Sequence, residues 1–284
     1  MIKCHRKELK NQAMDTLHLK LQFLEQYLKN LGSAAVAFSG GVDSAFLMAA
    51  AHRALGTAAI AVTARSCAFP RRELEEARKL ARAEGISHIE FDFQAFRVEE
   101  FVKNPPDRCY HCKSAILKQM KEIAEAEGLA CVIEGSNADD EKDYRPGAKA
   151  VYEQGILSPL KEAGLTKEEI RLLSREWGLP TWKKQSAACL ASRFAYGEPI
   201  TEERLFMVEQ AENYLHEHGF DRLRVRIHGT MARIELSDAD FPRAVEPEFR
   251  YEVSEAFRKL GFSYVTLDMQ GYRMGSMNEV LKRE

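Results

Sequence analysis

No stretch of this 284-residue sequence approaches the roughly 20 consecutive apolar residues that a membrane helix needs. The opening MIKCHRKELKNQAMD is charged and lacks the apolar run of a signal peptide, so a cytoplasmic protein without membrane attachment is expected. Cysteine is scarce: six residues in the whole chain exclude a disulfide scaffold and leave each thiol as a candidate ligand, nucleophile or plain packing group. An excess of one charge is missing as well. Forty-one Lys and Arg against forty-three Asp and Glu give −2, so no global basic field draws the chain onto nucleic acid. Internal repeats and low-complexity tracts are absent. What is present, 45% hydrophobic and 30% charged residues, is the make-up of a folded chain with a real core, at a length that suits two domains.

Leu17, Leu21, Leu24, Leu28 and Leu31 recur at helical spacing and predict an amphipathic helix over 9–31, ended by Gly32. The apolar run 34–38 is too short for a helix and is bounded by Gly40–Gly41, which makes it a buried strand. Helix 45–54, strand 58–63, helix 71–84, strand 88–93, helix 114–127 and strand 130–134 continue the alternation. This rhythm predicts an α/β fold, a Rossmann-like parallel sheet with helices on both faces and a ligand beyond the carboxyl ends of its strands. After Glu198–Pro199 the pattern changes. A helix over 202–218, strict alternation in LRVRIHGTMARIEL around Gly229–Thr230, a helix carrying Phe249, Val253, Phe257 and Leu260, and a strand over 263–269 predict a small α+β unit. The expected domains are 1–198 and 199–284.

The first strand runs into Ser39-Gly40-Gly41-Val42-Asp43-Ser44 and then a helix. Two glycines let the backbone pass close to an anion, and the helix adds the positive end of its dipole. The hydroxyls of Ser39 and Ser44 can complete the cradle, and Asp43 is placed to hold Mg²⁺ against phosphates. The alternative is a tight turn without a ligand. A Walker loop is excluded, because the chain contains no GxxxxGK[ST].

Cys109 and Cys112, in Cys109-Tyr110-His111-Cys112, stand three residues apart at a helix start, where two thiolates can reach one metal or cluster. A third thiol, Cys189, lies among small residues in the run Ser186 to Arg193, and Arg193 one turn on can favour its thiolate by charge. Three thiolates on a four-iron cluster leave one iron open to hydrosulfide; Zn²⁺ with His111, or plain reduced thiols, are the alternatives. Cys4, Cys67 and Cys131 carry no such pattern. Arg224 and Arg226 share one face of a strand about 7 Å apart, a pair that suits a phosphate or carboxylate and equally an ordinary solvated strand face. At the end of the fourth strand Gly135 allows close approach of a nucleotide, and Asp139 and Asp140 serve either a metal or a turn. Trp177 and Trp182 read as packing residues.

SGGVDS after an apolar strand resembles the pyrophosphate loop (PP-loop) of the ATP pyrophosphatase superfamily, which includes the synthetases of asparagine, GMP, NAD and argininosuccinate and the tRNA thiolases. Together, SGGVDS (39–44), RCYHCK (108–113), EGSNADD (134–140), ACLASRFAYGE (188–198) and RVR (224–226) are similar to the LarE family. These ATP-dependent sulfur transferases mature the nickel-pincer cofactor of lactate racemase. The resemblance implies the adenine nucleotide alpha hydrolase fold, ATP and Mg²⁺, a pyridinium-3,5-biscarboxylic acid mononucleotide as substrate, and a homo-oligomer. It implies adenine read at Thr63 and Arg65, and substrate phosphate near Arg224 and Arg226. Family members with all three cysteines imply a [4Fe–4S] cluster on Cys109, Cys112 and Cys189; others imply that the residue matching Cys189 gives up its own sulfur. A PP-loop tRNA thiolase, an ammonia-using ligase and a nucleotide sensor without turnover are the competing readings. The first needs a basic surface, the second leaves the cysteines idle, and pyrophosphate release in the presence of substrate would exclude the third.

Overall fold

The computed structural model describes residues 2–142, 146–185 and 188–282. In chain order the elements are α1 (Ile2–Leu31), β1 (Ala34–Ala37), α2 (Val42–Leu55), β2 (Ala59–Arg65), α3 (Arg71–Ala83), β3 (His88–Asp92), α4 (Glu99–Lys103), α5 (Arg108–Ala126), β4 (Val132–Ile133), α6 (Pro146–Glu153), α7 (Pro159–Glu162) and α8 (Lys167–Glu176), then α9 (Glu202–Glu217), β5 (Leu223–His228), β6 (Met231–Leu236), α10 (Phe241–Ala244), α11 (Pro247–Lys259) and β7 (Tyr264–Leu267). They form two compact units. One comprises Met1–Arg65, Arg71–Phe93 and Cys109–Ala187; the other comprises Ser66–Pro70, Gln94–Arg108 and Ala188–Glu284. The boundary expected near Glu198–Pro199 falls inside the second unit. Two short segments of the N-terminal half join that unit because their backbones bond to the 188–200 stretch: Leu190 N–H donates to Ala68 O at 2.8 Å, Gly197 N–H to Asn104 O at 2.9 Å and Ile200 N–H to Val102 O at 2.9 Å.

The first unit is the parallel sheet that the alternation predicts, in the order β3-β2-β1-β4. Side chains of a strand alternate between faces, and both faces at the centre of the sheet are covered, which is why β1 and most of β2 are apolar, whereas the edge strand β3 carries His88, Glu90 and Asp92 and is only partly buried. Ala34 and Val36 join one core with Leu24 and Leu28 of α1 and Phe46, Leu47 and Met48 of α2. Ala35 and Val62 join the other with Leu117 and Met120 of α5 and Val151 of α6. Ala34 of β1 and Ala45, Ala49, Ala50 and Ala51 of α2 are buried in the first of these cores.

Three local differences from the expected pattern matter for the site. α5 begins at Arg108 rather than Ser114, so Cys109 and Cys112 ride on the helix itself. β4 is reduced to two residues, and Glu134 and Gly135 lie just past its end. α8 is an additional helix, started by a capping box: Thr166 Oγ1 accepts from Glu169 N–H at 3.3 Å, and Glu169 accepts from Thr166 N–H at 2.8 Å.

In the second unit β5 and β6 form the expected antiparallel hairpin, turning at Gly229 with φ 56°, and β7 adds in parallel to β6. α9 packs on β5, burying Leu205, Val208, Ala211 and Leu215, the face its spacing marks.

Candidate active site

Gly40 bears the first requirement of the loop between β1 and α2. Its φ is 71°, and a Cβ there would come 2.9 Å from Ala77 Cβ of α3, so both backbone and packing demand glycine. Ser39 and Ser44 hydroxyls lie 3.1 Å apart, and Ser44 Oγ also donates to Gly41 O at 3.2 Å. Gly41 occupies the N-cap of α2 and no side chain caps the helix, so its first amides are left for an anion. Gly135, past β4, presses on this loop: a Cβ on it would sit 3.0 Å from Ser44 N.

Asp43 Oδ2 accepts from Lys167 Nζ at the start of α8, whereas its buried Oδ1 has no hydrogen-bond partner among the described residues. Burial pushes the Asp43 carboxyl up from its ordinary value, and Lys167 beside it only partly opposes this. Asp139 and Asp140 are drawn into the local turn and cap. Asp139 Oδ2 accepts from Lys167 N–H at 2.9 Å, and Asp140 Oδ2 from Asn137 N–H at 3.1 Å. Lys184 Nζ donates to Gly40 O at 3.0 Å while pairing with Glu73 and Glu76, each at 2.7 Å. Glu134 is buried and accepts from Lys113 Nζ (3.0 Å), Ser136 N–H (3.0 Å) and Ser158 Oγ (2.7 Å). Burial alone would raise its carboxyl, but Lys113 and the hydrogen bonds prevail and hold it below the usual range.

Thr63 and Arg65 lie toward the carboxyl end of β2, the ligand side of the sheet. The Thr63 hydroxyl donates to Phe38 O and meets His88 Nε2 at 2.8 Å, so it ties β1, β2 and β3 together. Arg65 Nη2 donates to Asp92 Oδ2 at 2.8 Å. Of the two tryptophans, Trp177 packs on Phe46 with ring centroids 4.9 Å apart and carries Arg53 over its face.

On α5, Cys109 is exposed and Cys112 half-buried; they are one helical turn apart, and neither is in a disulfide. Both stand in the first turn and a half of the helix.

In the second unit Cys189 is half-buried and opens a single 3₁₀ turn, Leu190–Arg193. Arg193, only 2% exposed, does not point its charge into solvent. Its Nε and Nη2 form a two-pronged pair with Glu212 at 2.9 and 2.8 Å, and its Nη1 donates to the carbonyls of Ala188 (2.7 Å) and Cys189 (2.9 Å). Arg224 and Arg226 differ in surroundings. Arg226 is buried and donates to Glu235 (2.8 Å), Ser276 (3.0 Å) and Ser192 O (3.0 Å). Arg224 is half-buried, with its guanidinium 5.3 Å from the Tyr272 ring centroid, and burial together with the neighbouring Arg193 cation lowers its pKa. Ser186 and Ala187, ahead of Cys189, lie outside the described residues.

Sequence reasoning missed Lys167, Lys184, Lys113, Glu134's carboxylate, Glu212 and Glu235. The one signal available was the Thr-x-x-Glu run at 166–169, which announces α8 and with it the position of Lys167. The other partners are far apart in sequence, and nothing local marks them.

The asparagine synthase family profile matches residues 26–139, the stretch that contains the loop. An uncharacterised protein of Synechocystis sp. is 41% identical over 94% of this chain and 100% of its own length. The pyridinium-3,5-bisthiocarboxylic acid mononucleotide synthase of Lactiplantibacillus plantarum is 38% identical over 95% of this chain and 98% of its own length. A glutamine-hydrolysing GMP synthase chain of Archaeoglobus fulgidus is 26% identical over 56% of this chain and 57% of its own length, a likeness confined to part of each protein. With the loop in place and the synthase's likeness running over nearly the whole of both chains, this chain belongs to the LarE family of enzymes, within the ATP pyrophosphatases.

Proposed function

We propose that the chain is an ATP-dependent sulfur transferase that converts pyridinium-3,5-biscarboxylic acid mononucleotide to its thiocarboxylates, in nickel-pincer cofactor maturation. The observation that carries this reading is the 38% identity across 98% of the Lactiplantibacillus synthase. A carboxylate is a poor electrophile. One of its oxygens attacks the α-phosphorus of ATP, pyrophosphate leaves, and the resulting acyl adenylate is open to sulfur. Sulfide sulfur then bonds to the carbonyl carbon, the bond to the AMP oxygen breaks, and AMP departs with its electron pair.

In this reading the uncapped amides of α2, with Ser39, Gly40, Gly41 and Ser44, hold the departing pyrophosphate, and Gly135 lets the nucleotide come close. Thr63 and Arg65 stand where the adenine is read. Asp43 fits Mg²⁺, because its buried Oδ1 lacks a partner among the described residues and a cation would supply one; the metal would neutralise phosphate charge as pyrophosphate leaves. Arg224 takes the substrate phosphate, and Arg226, held by Glu235 and Ser276, supports the strand beneath it. Arg193 positions the Cys189 loop.

The donor set suits a [4Fe–4S] cluster in kind: three thiols, Cys109, Cys112 and Cys189, none in a disulfide. Among the described residues no three His, Cys, Asp or Glu side chains are gathered as a ready ligand set. Bound there, the cluster would supply an iron open to hydrosulfide. No helix among the described residues is long and apolar enough to cross a membrane, and we place the enzyme in the cytoplasm as a homo-oligomer.

Incubation with ATP, Mg²⁺, the biscarboxylic mononucleotide and sulfide, followed by mass spectrometry, tests the reading. A product in which sulfur replaces oxygen supports it; unchanged substrate with the native, iron-reconstituted enzyme overturns it. If the product forms without iron, and Cys189 is recovered as dehydroalanine, the sulfur came from Cys189 itself.

A further inference from the structure

The residues that lead into Cys109 carry a buried polar network that the proposed reaction does not use. Asn104 has φ 55°, the only positive value at a non-glycine among the described residues, and is 0% exposed. Asn is one of the few side chains that accept this backbone region, and a residue held there inside a fold is held by its surroundings. Its Nδ2 donates to Ala195 O at 2.7 Å and to Glu198 O at 3.1 Å, and its own carbonyl accepts from Gly197 N–H at 2.9 Å. Asn104 Oδ1 accepts from Arg108 Nη1, and the same nitrogen donates to Ala191 O at 2.9 Å, two residues beyond Cys189. Arg108 is 4% exposed. From the other side Arg193 holds the carbonyls of Ala188 and Cys189.

All of these residues belong to the second unit, and the phosphate loop belongs to the first. A loop without regular structure must satisfy its buried carbonyls somehow, and water would do so without fixing its shape. Here an amide and two guanidinium groups take the carbonyls of residues 188, 189, 191, 195 and 198, so side chains tie the stretch that carries Cys189 at five points.

We propose that Asn104 and Arg108 are positioning residues for the Cys189 thiol: they fix the loop that presents it to the sulfur-transfer step, and adenylation does not depend on them. The consequence for sulfur transfer rests on the proposed function; the thiol's presentation does not, and the two are measured separately. Asn104→Gly keeps the left-handed backbone accessible and removes every side-chain bond. Arg108→Met removes the nitrogen that makes both bonds, whereas the ammonium of Arg108→Lys can serve the two acceptors that Nη1 now serves.

Iodoacetamide alkylation of the native protein, read peptide by peptide, reports the presentation of Cys189, with Cys131 in the other unit as the gauge of general loosening. Asn104→Gly and Arg108→Met should each change the Cys189 rate about tenfold and cut sulfur transferred per pyrophosphate to a similar degree, as displaced reacting groups do. Cys131 alkylation and substrate-dependent pyrophosphate release should stay at the native level, and Arg108→Lys should resemble the native protein. An unchanged Cys189 rate in both variants overturns the proposal, and so does a parallel rise at Cys131, which would mean general loosening. If the native enzyme makes no thiocarboxylate, the proposed function fails while the alkylation result still decides the positioning.

Discussion

At Asp43 burial and the Lys167 cation pull in opposite directions and burial prevails, and among the described residues the buried Oδ1 has no hydrogen-bond partner. Asp43→Ala should abolish substrate-dependent pyrophosphate release, a loss of at least about a hundredfold of the kind that follows removal of a preorganised charge, while the thermal melt stays close to native. Normal release by that variant would discard the assignment of the loop. Glu212 is the second residue where charge decides. It shares a buried, two-pronged pair with Arg193 and also accepts from Val225 N–H at 3.0 Å. Although burial pushes it up, Arg193 prevails and holds its carboxyl below the ordinary range. The folded state therefore binds fewer protons there than the unfolded chain. Its contribution to stability is whole above the usual carboxylate range and is lost as pH falls through the depressed folded value. Glu212→Gln leaves a buried guanidinium uncompensated and should cost about 3–5 kcal/mol in denaturant unfolding at neutral pH, and it should flatten the acid limb of the stability curve. An unchanged acid limb would show that the pair does not set it. Asp43 was legible in the sequence because its motif is local. Glu212 was not, because its partner is 19 positions away and only the fold joins them.

Among the elements, the two-residue strand β4 has an influence out of proportion to its length, since its end delivers Gly135 to the loop and Glu134 to Lys113. Gly135→Ala puts a methyl 3.0 Å from Ser44 N and 3.2 Å from the Asp43 carbonyl carbon. Overpacking of this kind costs about 1–3 kcal/mol. Expressed in the loop, that means ATP affinity weakened about tenfold or more, measured by calorimetry, with the fold retained. Unchanged affinity would show that the loop can yield. The alternation of strands and helices was readable because β1 and β4 are short, buried apolar runs and β2 is apolar for most of its length. The start of α5 was not: Asn104-Pro105-Pro106-Asp107 reads as loop, and Cys, Tyr and His are indifferent helix formers, so the pattern only becomes clear from Ser114. α8 carried its capping box in plain view, but which charge it delivers to Asp43 depends on a contact 124 positions apart.

On the scale of the molecule, Cys109 and Cys112 belong to the first unit and Cys189 to the second. The thiols were visible as a spacing, and their distribution over two units was not, because segments 66–70 and 94–108 join the second unit through backbone bonds that leave no mark in composition. Cys109→Ser should prevent retention of iron after anaerobic reconstitution while sparing pyrophosphate release; full sulfur transfer by the iron-free variant would rule out a cluster route. In the proposed reaction a carboxylate is activated by adenylation before sulfur arrives. The decisive quantity is the pyrophosphate and AMP formed by the native enzyme from ATP and Mg²⁺, with and without the pyridinium biscarboxylic mononucleotide. Pyrophosphate is expected only when that substrate is present, with AMP released once sulfide is added. ADP and inorganic phosphate in their place, or no nucleotide turnover with the substrate present, would contradict activation by adenylation.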